Sequence, residues 1–450
     1  MSQTPNMIFR LIFGLTLCSS LALAAPQYTI TDLGVPPGFT DAVPTAINNH
    51  GQVVGWCHAD SLTDDVSHAF LWEDGRMLDL GTFGGTESLA EGINDSGEIA
   101  GSFVSHGRPY AFIWQAGATV DLGITDGDGY SSRLFSGSRV VSINNSGQVV
   151  RSVPTADGKK ISSVWGRGQD TYFGLLGDGT ICYALHINDR AQIVGVSRRG
   201  NSWPSPSSGF LWQNGVLTRL ETLGGNEAAA DDINDLGAIV GWSYLQNNNL
   251  LDAHACVWIN GEIQDLGTLG GRYSRAYGIN NANQIVGYSQ KANNHDTAFL
   301  WESGRMFNLN DLVVSNAGYH FKCGDAINDL GQIVVLAWKN GITHALLLSP
   351  LSQSTPVADV PAETGAMLVS KNISPVAVPF SLNSFALMPN GDFKLNFTGA
   401  VAGNYVIETS TNLTAWAPLG PAMNDHGNWE FVDTNAGKFI MRFYRAVLKQ

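Results

Sequence analysis

Apolar and polar residues along the chain follow one short pattern that recurs seven times. Each copy has an apolar run ending in Ile-Asn, a polar turn, a second apolar run and an aromatic run. The Ile-Asn pairs begin at Ile47, Ile93, Ile143, Ile187, Ile233, Ile279 and Ile327, with steps of 46, 50, 44, 46, 46 and 48 residues. A period of this size is typical of propellers and solenoids.

The second copy predicts four short strands joined by tight turns. They are Ser88–Ile93, Glu98–Phe103, Tyr110–Trp114 and Ala118–Leu122. The first turn, Asn94–Gly97, has a physical basis, because Asn bonds the backbone ahead of it and Gly accepts a positive φ. Ala191 and Asn283 replace that glycine in two copies. The strands are apolar on both sides, which predicts a sheet covered on both faces.

Two further columns of the repeat suggest how the sheets are arranged. An aromatic residue recurs in the third strand at Trp72, Trp114, Trp165, Trp212, Trp258 and Trp301, and Leu348 replaces it in the last copy. Recurrence once per unit favours packing between sheets over ligand binding. Small residues precede most of the Ile-Asn pairs, which favours an innermost position for that strand, where the sheets converge.

The ends of the array predict closure into a ring. The last copy lacks a fourth strand, and Tyr28–Gly34 has the sequence of that strand with no copy before it. Pairing the two would complete the last sheet and remove an open edge. The expected fold is therefore all-β, a seven-bladed β-propeller closed by the N-terminal strand. A linear solenoid is the alternative, but it would need two capped ends, and none is visible.

The repeat resembles that of the HAF-repeat family of exported bacterial proteins. The resemblance rests on His68–Trp72, Asp79–Gly85, Gly92–Gly97 and Gln284–Gly287, and it covers residues 28–349. It implies an extracellular repeat protein and no known activity. The third and fourth units depart most from the pattern: Ser163-Val-Trp165 replaces the full signature, and Arg151 stands where Gly is usual.

Composition changes along the chain predict further segments. Arg10 and the apolar run Leu11–Leu23 predict a signal peptide over residues 1–24; a lipoprotein anchored at Cys18 is the alternative. The propeller is expected over 25–350, a linker over 351–379, and a small antiparallel β module over 380–450. That module resembles C-terminal β modules of other exported bacterial proteins, so sorting, surface attachment and glycan contact all stay open as its role.

Charge and cysteine usage narrow the class of partner. The formal net charge is −14, and an acidic surface repels phosphate backbones, so nucleic acid is not expected as a partner. No membrane span is expected after the signal peptide. Cys57, Cys182, Cys256 and Cys323 occupy unlike positions in different repeats, so the fold requires no disulfide framework. A bridge between Cys57 and Cys323 is an open alternative.

Recurring polar residues are interpreted as structural. Asp79, Asp121 and Asp265 recur within Asp-Leu-Gly and are expected to form turns, while His68, His254 and His344 are expected to bond locally. Asp126 and Asp128 could begin a calcium loop, but further acidic ligands are missing. No motif for a hydrolase, a metalloprotease or a nucleotide site is present, and no metal or cofactor is predicted.

Non-recurring residues carry two hypotheses about a site. Carboxylates just before the Ile-Asn pairs could crowd near the axis, where they would raise one another's pKa or bind a cation: Glu91, Asp231, Asp232 and Asp325. The alternative is that they are solvated loop ends. Aromatic and arginine side chains are expected on the long loops of one face: Tyr130, Arg133, Phe135, Arg198, Arg199, Trp203, Arg272, Tyr273, Arg275, Tyr319 and Phe321. Such residues suit recognition of sugars or protein, or simply pack the loops.

Three functions follow from these patterns. The first is a secreted or cell-surface, non-enzymatic propeller that binds a glycan or an extracellular protein on its long-loop face. The second is an enzyme acting on polysaccharide, with two axial carboxylates as acid and base at a separation of roughly 5–10 Å. The third is a structural repeat with no small ligand.

Overall fold

A computed structural model gives the structure of the chain. It describes residues 8–9, 27–60, 65–125, 141–177, 179–200, 207–246, 252–351, 381–387, 393–398, 404–410, 417–421, 423–425, 428–433 and 441–449. The chain separates into two compact units. One is Ala25–Pro356, and the other combines Met1–Ala24 with Val357–Gln450.

The larger unit consists of four-stranded groups, each in the order predicted for one repeat. Group 1 is β3 (Asp41–Ile47), β4 (Val53–Asp60), β5 (Asp65–Glu73) and β6 (Arg76–Gly81). Group 2 is β7 (Glu87–Ile93), β8 (Ile99–Ser105), β9 (Arg108–Gln115) and β10 (Ala118–Ile124). Group 3 is β11 (Val141–Ile143), β12 (Val149–Pro154), β13 (Lys160–Gly166) and β14 (Gln169–Phe173). Groups 4 and 5 are β15 (Ile181–Ile187), β16 (Ile193–Arg198), β17 (Ser207–Gln213) and β18 (Val216–Arg219); and β19 (Gly224–Ile233), β20 (Ile239–Leu245), β21 (Ala253–Ile259) and β22 (Glu262–Gly267).

The remaining groups include the first strand of this unit. Group 6 is β23 (Gly270–Ile279), β24 (Ile285–Lys291), β25 (Asp296–Glu302) and β26 (Arg305–Asn308). Group 7 is β27 (His320–Ile327), β28 (Ile333–Lys339), β29 (Ile342–Pro350) and β2 (Tyr28–Asp32). A short 3₁₀ helix, Leu309–Asp311, follows group 6. Within each group the strands are antiparallel, and single parallel pairs join groups 3 and 4 and groups 5 and 6.

The strand that ends in Ile-Asn is the innermost strand of each group, as predicted. These strands lie against one another in succession: β3 against β7, then β11, β15, β19, β23 and β27, which in turn lies against β3. The Ile-Asn ends surround one cup at their common centre. Sheets that pack face to face around such a centre form a β-propeller. The prediction of an all-β propeller is therefore confirmed at the level of the fold.

Antiparallel pairing joins the first strand of this unit to the last group. Tyr28 pairs with Pro350 and Asp32 with Leu346, so β2 extends the sheet of β27, β28 and β29. The Tyr28 side chain is 1% exposed and packs in an apolar cluster with Phe321, Leu346 and Leu348. Its main-chain N–H donates to the Leu312 carbonyl at 2.9 Å.

The apolar cores lie between neighbouring groups, because each sheet is covered on both faces. One core combines Leu71 of group 1 with Ile99 and Phe112 of group 2, and Trp114 packs against it. The Trp column belongs to such cores throughout: Trp72 and Trp258 are buried, and Trp165, Trp212 and Trp301 pack against further clusters. The prediction that the column serves packing is confirmed.

Close approach of the backbone explains a glycine in the second strand of five groups: Gly55, Gly101, Gly195, Gly241 and Gly287. A Cβ at Gly195 would lie 2.0 Å from the Tyr183 carbonyl oxygen and 2.9 Å from the Phe210 ring. In group 3 this position is Arg151, which pairs across the strands with Ser163 instead of a Phe. The smaller serine accompanies a buried guanidinium that bonds Asp170 at 2.6 Å.

The second unit is also all-β in its described part. One sheet has the order β1 (Ile8–Phe9), β36 (Met441–Lys449), β32 (Asn404–Ser410) and β33 (Ala417–Pro421), and the other has β30 (Ser381–Leu387), β31 (Phe393–Thr398), β35 (Asn428–Asp433) and β34 (Met423–Asp425). β1 is parallel to β36, and the other pairs are antiparallel. Apart from Ile8 and Phe9, the predicted signal peptide lies outside the described residues.

Cys57, Cys182, Cys256 and Cys323 are all free. The alternative of a bridge between Cys57 and Cys323 is therefore wrong. Cys57 is buried beside Met77, with 3.6 Å between the sulfur atoms. Among the residues that the structure describes, no helix has both the length and the apolar content needed to cross a membrane.

Candidate functional site

Seven asparagines at the ends of the innermost strands form a hydrogen-bonded ring in the described part of the chain. They are Asn48, Asn94, Asn144, Asn188, Asn234, Asn280 and Asn328. The Oδ1 atom of each accepts N–H groups of its own turn, as Asn48 does from His50 and Gln52 at 3.0 Å. Each Nδ2 donates to the carbonyl of the next asparagine at 2.9–3.1 Å. The last of these bonds runs from Asn328 back to Asn48.

The residue after each asparagine forms a second ring outside the first. Its members are Asn49, Asp95, Asn145, Asp189, Asp235, Asn281 and Asp329. Each side-chain oxygen accepts the main-chain N–H of the preceding member at 2.7–2.9 Å. Amides lie between carboxylates around most of this ring, as Asn145 bonds both Asp95 and Asp189. Asp189 and Asp235 are neighbours with no amide between them.

The two rings enclose the cup at the centre of the propeller, which has a volume of about 170 Å³. Its wall also includes the residue just before the Ile in six of the seven repeats, and four of these six residues are small. The exceptions are His186 and Asp232, and His186 Nδ1 lies against a carboxylate oxygen of Asp232. The main-chain N–H groups of Ile233 and Ile279 also donate to the Asp232 carboxylate, at 2.8 and 2.9 Å. The partners of Asp232 thus come from three groups: His186 from group 4, Ile233 from group 5 and Ile279 from group 6.

In six innermost strands, the residue two positions before the Ile forms a β-bulge. These residues are Thr45, Glu91, Leu185, Asp231, Tyr277 and Asp325. The pairing shifts across each of them, because one residue is added to the strand without a partner opposite it. Three of the four predicted axial carboxylates therefore lie on bulges of innermost strands, and Asp232 lies one residue beyond such a bulge.

The structure gives three of the predicted axial carboxylates, Glu91, Asp231 and Asp232, separate partners. Glu91 is 6% exposed, lines the cup, and accepts a bond from the Ser102 hydroxyl at 2.8 Å. Asp231 is 9% exposed and binds the Arg275 guanidinium through two bonds of 2.5 and 2.8 Å. Asp325 is 7% exposed. Among the described residues, no three His, Cys, Asp or Glu side chains form a group that could hold a metal ion.

The Asn turns define one face of the propeller, and the opposite ends of the strands define the other, which we call the loop face. Cations lie over aromatic rings on the loop face. Lys160 and Arg198 lie 5.7 and 5.5 Å from the Tyr183 ring centroid. Lys322 lies 5.0 Å from that of Trp338, whose side chain is 43% exposed. The loop face thus combines cationic and aromatic groups.

Groups 5 and 6 contribute a set of aromatic rings that we call the aromatic wall: Trp242, Tyr244, Tyr273, Tyr277 and Tyr288. Tyr288 stacks on Tyr273 with ring centroids 5.6 Å apart, and Tyr277 lies 5.7 Å from it. Trp242 meets Tyr244 edge to face at 5.1 Å. Four of the five rings are partly exposed, and Tyr244 is buried.

The phenols in this wall are protonated at neutral pH, as tyrosine phenols ordinarily are, and partial burial raises the pKa of three of them further. It raises the pKa of Tyr277 and Tyr288 well above the usual range, and it raises the pKa of Tyr244, to which the charge of Glu227 also contributes. The pKa of the Glu227 carboxyl is itself raised by burial, against an opposing bond from Ser207. These phenols therefore stay protonated and can donate hydrogen bonds throughout the physiological pH range.

Several residues predicted to lie on loops lie elsewhere. Arg272, Tyr273 and Arg275 belong to β23, because that strand begins at Gly270. Phe321 is fully buried in the core under β2, so its assignment to a binding loop is wrong. Arg198 ends β16 and Arg199 follows it, exposed. Tyr130, Arg133, Phe135, Trp203 and the Asp126–Asp128 segment lie outside the described residues.

The pairing of the arginines was not predictable from local sequence. Arg272 bonds Asp252 at 2.5 Å across twenty positions, and Arg275 bonds Asp231 of the preceding group across forty-four. Arg275 stands four residues before Ile279, where most repeats have an uncharged residue such as Val43 or Ala229, but the third repeat also has an arginine there, Arg139, so this position gave little signal.

Comparisons with known proteins show no family. No protein-family model matches the chain, and no curated protein matches it. The resemblance to HAF-repeat proteins therefore stays a prediction.

Similar solved structures include propeller proteins at low identity. The β-propeller domain of the Trilobed protease from Pyrococcus furiosus matches with a TM-score of 0.45 and 10% identity, over 69% of this chain and 94% of that chain. Pyrococcus horikoshii acylaminoacyl peptidase matches with a TM-score of 0.44 and 10% identity, over 91% and 65%. TolB from Acinetobacter baumannii matches with a TM-score of 0.37 and 13% identity, over 67% and 64%. Likeness at this level carries nothing about activity.

Proposed function

We propose that the protein is an exported, non-enzymatic binding propeller whose loop face binds a glycan. One observation carries this proposal: partly exposed aromatic rings and cations lie together on the loop face, as in Trp338 with Lys322. Tyrosine and tryptophan offer a large, rigid contact surface at low cost in conformational entropy. Sugars match such a surface through the C–H face of the ring and the hydroxyl groups around it.

The opposite face supports the same assignment by contrast. Its asparagine side chains are buried and have their donors and acceptors engaged within the ring, so they are committed to joining neighbouring groups. Its turns expose mixed groups, among them Asp189, Arg190 and Leu330, and the described Asn turns contain no Tyr or Trp. The partly exposed tryptophans at the same ends of the strands pack against the cores between groups, so we expect recognition by aromatic contact on the loop face.

The finer architecture is part of this proposal. We infer seven blades with the N-terminal strand closing the last one. The inference is supported by the pairing of β2 with β29 and by the bond from Asn328 back to Asn48. The matching domain organisation is a signal peptide over 1–24, a propeller over 25–350, a linker over 351–379 and a β module over 380–450.

Export and membership of the HAF-repeat proteins belong to the same proposal. The basic Arg10 before the apolar run Leu11–Leu23 supports a signal peptide. The free cysteines fit an exported chain that needs no disulfide framework. We propose a secreted or cell-surface location, with the C-terminal module as the segment that attaches or sorts the propeller.

The state of the carboxylates supports binding over catalysis. A glycosidase needs an acid and a base or nucleophile that both face the scissile bond. Here Asp231 is held by Arg275, Asp232 by His186 and two main-chain N–H groups, and Glu91 by Ser102. A polysaccharide-acting enzyme remains the alternative, and it requires turnover that depends on one of these carboxylates.

The test is a glycan-array screen of the full chain, followed by a matched pair of variants. Trp338→Ala removes an exposed ring at the loop end of β28, and we expect several-fold weaker binding to the glycans found. Leu330→Ala removes a side chain, 62% exposed, in the turn at the other end of β28, and binding should not change. Binding that is lost with Leu330→Ala and kept with Trp338→Ala would place the ligand on the wrong face.

The same glycans also separate binding from catalysis. Incubation of the bound glycan with the wild-type chain should leave it intact, as measured by release of reducing ends. Turnover that Asp231→Asn abolishes would establish the enzymatic alternative.

A further inference from the structure

On the basis of the proposed function, we propose that the aromatic wall between groups 5 and 6 binds an uncharged sugar residue of the glycan. The proposal names a place and a ligand class that the loop face as a whole does not define. It rests on three observations: the stacked rings, the neutralised arginines and an unengaged indole donor.

The rings form two contacting sets in neighbouring groups, Trp242 with Tyr244 and Tyr288 with Tyr273 and Tyr277. Trp242 and Tyr288 occupy the same position in their groups, directly after the close-approach glycines Gly241 and Gly287. Tyr273 stacks on Tyr288, and it lies close enough to Tyr244 to contribute to the raised pKa of that phenol. Rings that hold one another in place lose little further freedom when a sugar ring packs on them.

An irregularity in β23 removes Tyr273 from the pairing with β24. The pairing shifts between Gly270 and Ser274, and within that stretch Tyr273 pairs with Ala253 of group 5. A Cβ at Gly271 would lie 2.4 Å from the Cβ of Gln290, so the backbone approaches closely there and a side chain does not fit. The irregularity presents Tyr273 at the loop end of the wall.

The charges beside the wall decide the class of sugar. Two arginines lie there, and an anionic sugar would form charge-assisted hydrogen bonds with them if they were unpaired. Both are already paired with carboxylates: Arg275 with Asp231 and Arg272 with Asp252. Arg275 also lies over the Tyr277 ring at 4.9 Å. With each cation matched by an anion and Glu227 close by, the wall offers no net positive charge, so a neutral residue fits better than a uronic acid.

Hydrogen-bond donors complete the site. The phenols stay protonated because burial raises the pKa of Tyr277 and Tyr288. The buried indole N–H of Trp242 has no acceptor among the residues that the structure describes. Buried donors in native proteins are usually satisfied. Hydroxyl groups of a sugar can accept from the phenols of the partly exposed Tyr273, Tyr277 and Tyr288. They reach the Trp242 N–H only after a local movement that uncovers it.

The experiment uses the full chain, the tightest-binding neutral glycan of the array and its uronic-acid counterpart, with calorimetry at low and high salt. We expect the neutral glycan to bind more tightly, with an affinity that salt does not change. Tyr273→Ala and Tyr288→Ala should each weaken binding about tenfold. Tyr273→Phe keeps the ring and should retain most of the affinity, which separates loss of the ring from loss of folding.

The matched control is Tyr172→Ala. Tyr172 is 57% exposed on the outer strand of group 3, and its removal should leave binding unchanged. Preference for the uronic-acid glycan, or unchanged binding by folded Tyr273→Ala and Tyr288→Ala, would overturn the assignment of the wall. In either case Trp338→Ala still decides whether the loop face binds glycan, whereas a wild-type chain that binds no glycan overturns both proposals.

Discussion

Each asparagine that follows an innermost Ile contributes to two structures at once. Its Oδ1 closes its own turn, and its Nδ2 reaches the next turn, so one side chain fixes both the hairpin and the distance to the neighbouring group. Aspartate in this place would lose the donor, and leucine would lose both. Since each asparagine is buried, the polar groups left behind would be desolvated without partners.

Histidine–aspartate pairs give the propeller an acid-sensitive contact. His254 Nδ1 lies 2.9 Å from both carboxylate oxygens of Asp265, and the Gly267 N–H donates to the same group at 2.7 Å. Burial alone would raise the pKa of Asp265, but these bonds outweigh it and the pKa is lowered. Asp32 beside His344 is shifted in the same direction, again against burial. Such pairs are stabilising when the carboxylate is ionised.

The first prediction concerns pH. A carboxylate whose folded pKa is below its unfolded value of about 4 stabilises the protein above that pH, and its contribution is lost as pH falls through the folded pKa. The wild-type melting temperature should therefore fall on acidification below about pH 4. Asp265→Asn should melt lower at neutral pH and show a smaller acid-induced fall.

A matched control for this prediction is Asp121→Asn, in the same Asp-Leu-Gly turn. There Tyr110 stands at the position of the histidine, and Asp121 accepts the Gly123 N–H at 2.7 Å. Melting curves followed by circular dichroism should show less change in acid dependence for this variant. Equal changes in the two variants would mean that the histidine contact has no part in the effect.

At the scale of the element, the second strand of each group is defined by how closely it approaches the first. Gly195 lies where a Cβ would overlap the Tyr183 carbonyl. The Phe210 ring fills the space over the glycine from the neighbouring strand. In four groups the glycine lies opposite a Phe, and in group 5 Gly241 lies opposite Cys256. In group 3, where Arg151 replaces the glycine, the residue opposite is the smaller Ser163.

The second prediction is that Gly195→Ala destabilises the protein strongly. The added methyl would force the two strands apart, and overpacking of this kind costs about 1–3 kcal/mol or more. Denaturant unfolding followed by Trp fluorescence measures the effect. Gly174→Ala is the control, because Gly174 has no atom within 4 Å of the added Cβ and needs no positive φ. Equal stability of the two variants would contradict the packing argument.

Local chemistry determined which parts could be predicted from the sequence. The Asn-to-Gly turns were predictable because their last residue needs a positive φ, which glycine adopts easily. The structure has a positive φ there at Gly97, and also at Ala191 and Asn283, which replace the glycine. The innermost position of the Ile-Asn strand was predictable from small residues. The bulge at Glu91 and the Arg275–Asp231 pair were not, because register and contacts between groups depend on residues far apart in sequence. The candidate site consists mainly of such contacts.

At the scale of the whole molecule, the first strand of the larger unit, β2, pairs with the last strand of group 7, β29. Tyr28 is the anchor of that strand, since it is buried against the core of group 7 while Thr29 and Thr31 are exposed. The edge of β29 would otherwise present unpaired main-chain groups. The join concentrates on one short strand the contacts that hold group 7 to the start of the propeller.

The third prediction tests that join. Tyr28→Ala should destabilise the chain by about 3–5 kcal/mol, the usual cost of truncating a buried aromatic side chain. Thr29→Ala changes the next residue of the same strand, which is exposed, and should stay within about 0.5 kcal/mol of wild type. Thermal melts of both variants provide the measurement. A Tyr28→Ala variant as stable as Thr29→Ala would mean that the strand is dispensable.

The second ring, which runs from Asn49 to Asp329, has an odd number of members. Amides and carboxylates therefore cannot alternate strictly around it, and at one place two of the same kind must be neighbours. Here the repetition is the seam between Asp189 and Asp235, beside the His186–Asp232 pair. These two adjacent aspartates mark one position of a ring whose other positions alternate. A molecule that approaches the cup would therefore meet repeats that differ in charge.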